Sequence, residues 1–234
     1  MSTTNMKRYI AIILALASIS SLLSMSGFAK TKTVIATVPF IIATAGTYVL
    51  AANLTLSGTG ASAVTVNASN VAIDLSGFTL ATSDQTASNT GITVSSTATN
   101  VTIANGKITG FGTGVLLQGA NEVVENLSLS NPGQGIEADN PCTSSVIRGC
   151  FITGNGLNEG VFLNGCTDVM VKNNQFLNEA IGGFSGGNSS FIANYIGNCK
   201  IGLELSATDK YQANLTNTCA TPFSGGIAVG NENN

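Results

Sequence analysis

NVTIANGKITGFGTGVLLQ, residues 100–118, is the stretch whose reading decides the fold. It holds two short alternating runs, Val101, Ile103 and Ile108 in the first and Val115 and Leu117 in the second, with Gly, Asn and Thr between them. Alternation at period two is the pattern of a strand with one buried face. The pair of runs recurs. Gly followed by an apolar residue appears at Gly91-Ile92, Gly114-Val115, Gly135-Ile136, Gly160-Val161, Gly183-Phe184, Gly202-Leu203 and Gly226-Ile227, at spacings of 23, 21, 25, 23, 19 and 24. A small polar column (Asn105, Asn126, Gly149, Asn173, Asn194, Asn214) keeps step with it at spacings of 21, 23, 24, 21 and 20. Two columns in phase at about 22 residues mean one coil per repeat, the signature of a solenoid.

The residue types select the kind of solenoid. The repeats lack the 3.6-residue stripe of helical arrays and the Leu spacing of leucine-rich repeats. Each carries two or three strands of three to five residues, which suits a parallel β-helix in which equivalent positions stack about 4.8 Å apart. Asn at a tight bend fits this arrangement, because it tolerates left-handed backbone and its amide can bond to the Asn one coil along. The predicted fold class is therefore all-β, a single-chain parallel β-helix of about eight coils, with residues 30–62 as a capping segment with the first strands and residues 63–234 as the β-helix.

NVAIDLSGFTL (residues 70–80), NVTIANGKITGFGTGVLL (100–117) and VVENLSLSNPGQGIE (123–137) resemble the bacterial right-handed parallel β-helix repeat proteins of the pectin-lyase-like superfamily. The resemblance runs from about Pro39 to Val229. ATAGTYVLAANLTL, within the opening segment, resembles the first turn of many bacterial β-helices. Right-handedness is implied by the resemblance and by the general handedness of parallel crossovers. Activity is not implied, because the superfamily holds lyases, hydrolases, epimerases and adhesins.

Residues 1–29 read as a cleaved secretory signal: Lys7 and Arg8 start it, an apolar run follows from Ile10 to Leu23, and Gly27-Phe28-Ala29 offers small residues at a cleavage site. The expected location is accordingly secreted, periplasmic or cell-surface, with no membrane span after signal cleavage. Charged residues make up 9 %, the net charge is −3, there is no His, and Arg148 is the one Arg beyond the leader. A sparse acidic surface argues against nucleic acid as a partner.

Five Cys in an exported chain permit disulfides. Cys199 and Cys219 are 20 apart and Cys142 and Cys166 are 24 apart, each about one coil. Stacked positions lie within bridging distance. The expectation is Cys142–Cys166 and Cys199–Cys219, with Cys150 free and buried. No metal site is expected, since there is neither His nor a paired CxxC motif.

Candidate chemistry is thin. The resemblance would imply acidic calcium ligands and a basic proton acceptor for a pectate lyase, or clustered Asp with His and an Arg-x-Lys motif for a polygalacturonase; the sequence has no His, no Asp-Asp pair and no Arg-x-Lys. No catalytic residue is assigned, and the chain leans away from being an enzyme. Glu125, Arg148 and Lys172 each precede the polar column and should stack on one outer face, where they are a candidate binding site or a surface ion-pair ladder. Glu137, Asp139, Glu159 and Asp168 could bind Ca²⁺ weakly, the one cofactor considered, although a solvated face is the plainer reading. Alternation turns Phe162 outward, and Phe151 with it on an adjacent coil would make a modest sugar platform. The leading expectation is a non-catalytic extracellular or cell-envelope scaffold or glycan-binding module, its partner a polysaccharide or cell-surface component. The alternative is a polysaccharide lyase or epimerase on acidic glycans. A third is self-association through a thinly capped C-terminal coil.

Overall fold

A computed structural model describes residues 31–84, 88–130 and 133–230. The chain divides into two units, residues 1–31 and 32–234; the expected signal segment belongs to the first and lies outside the described residues. Among the described residues every regular element is a strand, and all the strands join one parallel 23-stranded sheet. The all-β parallel β-helix expected from the repeats is the fold, with about eight coils of about 22 residues. No helix in the described part is long and apolar enough to cross a membrane.

Each coil has three faces. The first is built from Phe40–Ile42, Ser62–Val66, Thr90–Val94, Thr113–Leu117, Gln134–Asp139, Glu159–Asn164, Ile181–Ser185 and the leading parts of Ile201–Gln212 and Thr221–Ala228. The second contains Lys32–Ile35, Gly46–Leu50, Val71–Asp74, the starts of Val101–Thr109 and Val123–Ser130, then Val146–Arg148, Met170–Lys172 and Ser190–Ile192. The third contains Leu54–Leu56, Thr79–Thr82, the ends of Val101–Thr109 and Val123–Ser130, Phe151–Thr153, Gln175–Leu177, Tyr195–Gly197 and Leu215–Asn217. The opening segment is thus part of the same sheet: its strands pair in register with those of later coils.

Three corners join the faces, and each holds a column of left-handed residues. The first corner has Asn70, Asn100, Asn121, Ser144, Asp168 and Asn188; the second has Asn105, Asn126, Gly149, Asn173, Ala193 and Ala213; the third has Asn178, Asn198 and Thr218. Asn supplies most of them because its short amide lowers the cost of positive φ. This corrects the polar column of the sequence reading at its C-terminal end. Ala193 and Ala213, not Asn194 and Asn214, continue the bend of Asn173. Asn194 and Asn214 instead continue Asn174, whose side chain turns inward.

The glycine column exists for close backbone approach. A Cβ on Gly160 would lie 2.6 Å from the Gly182 carbonyl oxygen and 3.0 Å from Phe176, and one on Gly182 would lie 2.6 Å from the Gly202 oxygen. The column therefore runs through Gly182 rather than Gly183. Gly183 takes the next inward place, where the ring of fully buried Phe191 fills the space a side chain would need. The one-residue slip turns Phe184 outward. Gly160→Ala is expected to destabilise the protein by about 2–3 kcal/mol through overpacking, seen as a lower denaturation midpoint; an unchanged midpoint would show that the coils relax around a methyl group.

Inside the coils, Val, Ile and Leu stack with Phe111, Phe176 and Phe191 in one continuous core. Burial fades at the last coil, where Leu215 is 63 % exposed and Ile227 48 %.

Candidate functional site

Glu125, Arg148 and Lys172 stack in register on the second face, as their spacing predicts. Arg148 donates from Nε to Glu125 Oε2 at 2.7 Å, and its second nitrogen reaches the same oxygen at 2.5 Å. Its charge is therefore already neutralised within the column, on an exposed surface where such a pair contributes little to stability. Lys172 is followed by Ile192, which ends the run of charge.

Phe162 is on the first face, away from that column. Its partner is not Phe151, which stands exposed on the third face among Ser128 and Gln175. It is Phe184, one coil along, with ring centroids 5.0 Å apart and planes 20° apart. In the outward column Leu116, Glu137, Phe162, Phe184 and Glu204 follow each other coil by coil. Beside it runs a second outward column of Thr113, Gln134, Glu159, Ile181 and Ile201. Half-buried Phe162, Phe184, Ile181 and Ile201 thus form an apolar strip, with Glu137, Glu159 and Glu204 at its border.

Those carboxylates are held by neutral donors. Thr113 donates to Glu137 at 3.1 Å, Gln134 to Glu159 at 3.3 Å, and Asn164 to Asp139 at 3.2 Å. Partial burial pushes the Glu137 carboxyl up, the Thr113 hydrogen bond opposes this, and the charges of Asp139 and Glu159 add to it. Asp168 stands at the first corner, apart from these three. Among the described residues no three His, Cys, Asp or Glu side chains converge closely enough to hold a metal ion.

All five cysteines are thiols in the structure, where two disulfides were expected. The expected partners do stand one coil apart: Thr143 bridges Thr167 immediately after Cys142 and Cys166, and the Ala220 amide donates to the Cys199 carbonyl. Cys150 is buried as expected and has no cysteine partner in its column; burial pushes its thiol up to about 11.

The sequence reading missed what sits beside each pair. Glu122, 1 % exposed, lies at the first corner with one oxygen on the Gly119 amide (3.1 Å) and the other 3.5 Å from the Cys142 thiol. Glu179, 2 % exposed, lies at the third corner in the column of Cys199 and Cys219. Its Oε2 has no hydrogen-bond partner and packs on Gly154. Burial pushes both carboxyls up to about 8, aided by Cys142 for Glu122 and by Glu159 for Glu179. Nothing in the local sequence separates these two Glu from the outer ones, apart from their place directly after an Asn bend.

The chain matches the family described as "Right handed beta helix region" over residues 40–201 and again over 90–234. Among solved structures it is similar to the A-module of the mannuronan C-5 epimerase AlgE4 of Azotobacter vinelandii, at 12 % identity and a TM-score of 0.39, covering 85 % of this chain and 88 % of that one. It is also similar to ORF18 of Geobacillus virus E2, at 12 % identity and a TM-score of 0.28, covering 87 % of this chain and 52 % of that one. No curated protein matches it. By the extent of the family match, and by the stacked three-faced coils that agree with it, the chain belongs to the right-handed β-helix family.

Proposed function

We propose that this protein is an exported, non-catalytic β-helix that binds an uncharged glycan on its first face. The observation that supports this most is the stacked Phe162–Phe184 pair, set between Glu137 and Glu204 in one outward column. A sugar ring has an apolar C–H surface and a rim of hydroxyls. An apolar strip bordered by fixed acceptors complements both. Glu137, Asp139 and Glu159 give this face a negative field, which repels uronate polymers and favours neutral ones. Arg148 and Lys172 are on the second face, and Arg148 is engaged by Glu125.

Retention on columns of neutral and uronate polysaccharides tests this. The protein is expected to be retained on a neutral polymer, with each of Phe162→Ala and Phe184→Ala weakening binding roughly tenfold. Phe151→Ala and Arg148→Ala should leave it unchanged. Retention on uronate polymers alone, no retention on either, or indifference to both first-face variants would overturn the proposal. So would turnover of an acidic polysaccharide to unsaturated or epimerised product.

A further inference from the structure

The two cysteine pairs differ in access, and that difference has chemical consequences. Cys142 and Cys166 are both sealed, at 1 % and 2 % exposure. Cys199 is buried, but Cys219 is partly exposed, and both border an open groove of about 530 Å³ at the third corner. Glu179 and Lys200 border the same groove. Glu179, Cys199 and Cys219 stand in register on three successive coils, two residues past the paired Leu177, Gly197 and Asn217. Register between adjacent parallel strands puts the Cα atoms of Cys199 and Cys219 about 5 Å apart, inside the range a disulfide spans. Glu179 is buried, and its unpartnered Oε2 lies against Gly154 on the coil before it, so a small rotation of the carboxyl is needed to present it to Cys199 on the coil after. Such an oxygen is costly to maintain and is available to take a proton.

We propose that Cys219 and Cys199 are a reversible redox pair that exchanges with low-molecular-weight disulfides entering this groove, with Glu179 as the proton acceptor for Cys199. The Cys219 thiolate attacks one sulfur of a small disulfide RSSR. A Cys219–SR bond forms, and the first RS⁻ leaves and takes up a proton. The Cys199 thiol then gives its proton to the Glu179 carboxylate and attacks the Cys219 sulfur. The Cys199–Cys219 bond forms, and the second RS⁻ leaves and takes up the proton from Glu179. The protein dithiol loses two electrons, RSSR gains them, and the products are one protein disulfide and two RSH. The division of labour follows from burial: the outer thiol meets the reagent, while the inner one is held by burial up to about 12 and needs a local base. The groups facing Glu179 are Glu159, Cys199, Cys219 and, across the groove, Lys200.

The test uses the reduced full chain and oxidised glutathione, with acid quench, alkylation and peptide mass mapping. A Cys219–glutathione adduct is expected first, then a Cys199–Cys219 disulfide, while Cys142, Cys150 and Cys166 stay reduced until the protein is unfolded. Cys199→Ser should trap the adduct on Cys219, and Cys142→Ser should change nothing. Glu179→Gln should leave adduct formation intact and slow ring closure about 100-fold at pH 8.5, in the range of general base catalysis. In the parent the closure rate should rise through about pH 8, and this rise should vanish in the variant. Absence of a native-state Cys199–Cys219 disulfide, or faster oxidation at Cys142 and Cys166, would overturn the redox site. Unchanged closure kinetics in Glu179→Gln would overturn the role of the carboxyl.

Discussion

Moving the protein from pH 5 to pH 8.5 will lower its unfolding temperature by about 15 °C, and Glu122→Gln together with Glu179→Gln will remove most of that loss. Both carboxyls are almost fully buried and hold their protons up to about pH 8 in the folded chain, against an ordinary value of 4.5. In the unfolded chain each ionises near its ordinary value. Below about pH 4.5 both states carry the proton, and the folded state has its full share of stability. As the pH rises from there to about 8, the unfolded state alone releases protons and is favoured. Above about 8 the folded state ionises too and the loss levels off. One pKa unit corresponds to about 1.4 kcal/mol, so each Glu withdraws on the order of 4 kcal/mol across this window. An amide of the same shape stays neutral and keeps an oxygen for the Gly119 amide in the case of Glu122. The check is thermal unfolding of the parent and of each single variant at half-unit pH steps. The scan stops at pH 8.5 so that Cys150 and Cys199, whose thiols burial pushes well above their usual range, do not contribute. A flat profile in the parent, or a slope that survives both substitutions, would show that these carboxyls ionise at ordinary pH.

The second large effect is expected at Asn194. Its side chain is the middle rung of an internal ladder. Oδ1 accepts from the Asn174 amide at 3.0 Å and from Asn174 Nδ2 at 3.1 Å. Nδ2 donates to the Val171 carbonyl at 2.9 Å and to Asn214 Oδ1 at 2.9 Å. The same pattern repeats above, where Asn174 Nδ2 reaches the Ile147 carbonyl and Asn174 Oδ1 accepts from the Cys150 amide. These groups are the backbone donors and acceptors that the second corner takes out of the strand ladders, and they are buried from water. Asn194→Ala strands the Asn174 amide and the Val171 carbonyl at once. At about 1–3 kcal/mol for each buried group left unpaired, the expected cost is about 4 kcal/mol. Asn198→Ala is the control: Asn198 bonds to Asn178 at an exposed corner, and putting Ala at its positive φ should cost about 1–2 kcal/mol, well below Asn194→Ala. Because each coil contacts mainly its neighbours, the damage should be local. Hydrogen exchange should therefore show lost protection at Asn174 and Cys150, with the coils before residue 100 unaffected. Equal costs for the two variants would mean that water enters the second corner and satisfies the stranded groups.

Much of this was legible in the residues. The stacking of Glu125, Arg148 and Lys172, the one-coil separation of each cysteine pair, and the outward turn of Phe162 all follow from a repeat period and strand alternation. The rest was hidden by coil length. The late coils shorten to 20 residues, as the spacing of Asn174, Asn194 and Asn214 shows. A sequence that offers Asn173-Asn174 and then Gly182-Gly183 does not say which member of each pair carries the column. The reading chose Asn194 for the bend and Gly183 for the close approach, and both were one residue off. The partner of Phe162 was missed for the same reason: Phe184 is outward once Gly182 occupies the tight position and Phe191 fills the space over Gly183.

By itself, then, the sequence of this protein determined the kind of fold, because period two within strands and about 22 residues between them admit one economical stacking. It also determined the sparse acidic charge and the placing of cysteines one coil apart. Tertiary structure alone decided depth. Whether Glu122 and Glu179 meet water, whether Asn194 points in or out, and whether Cys219 is open while Cys142 is sealed depend on which side chains the neighbouring coils bring against them. Those neighbours lie 20 or more residues away in the chain and within about 5 Å in space.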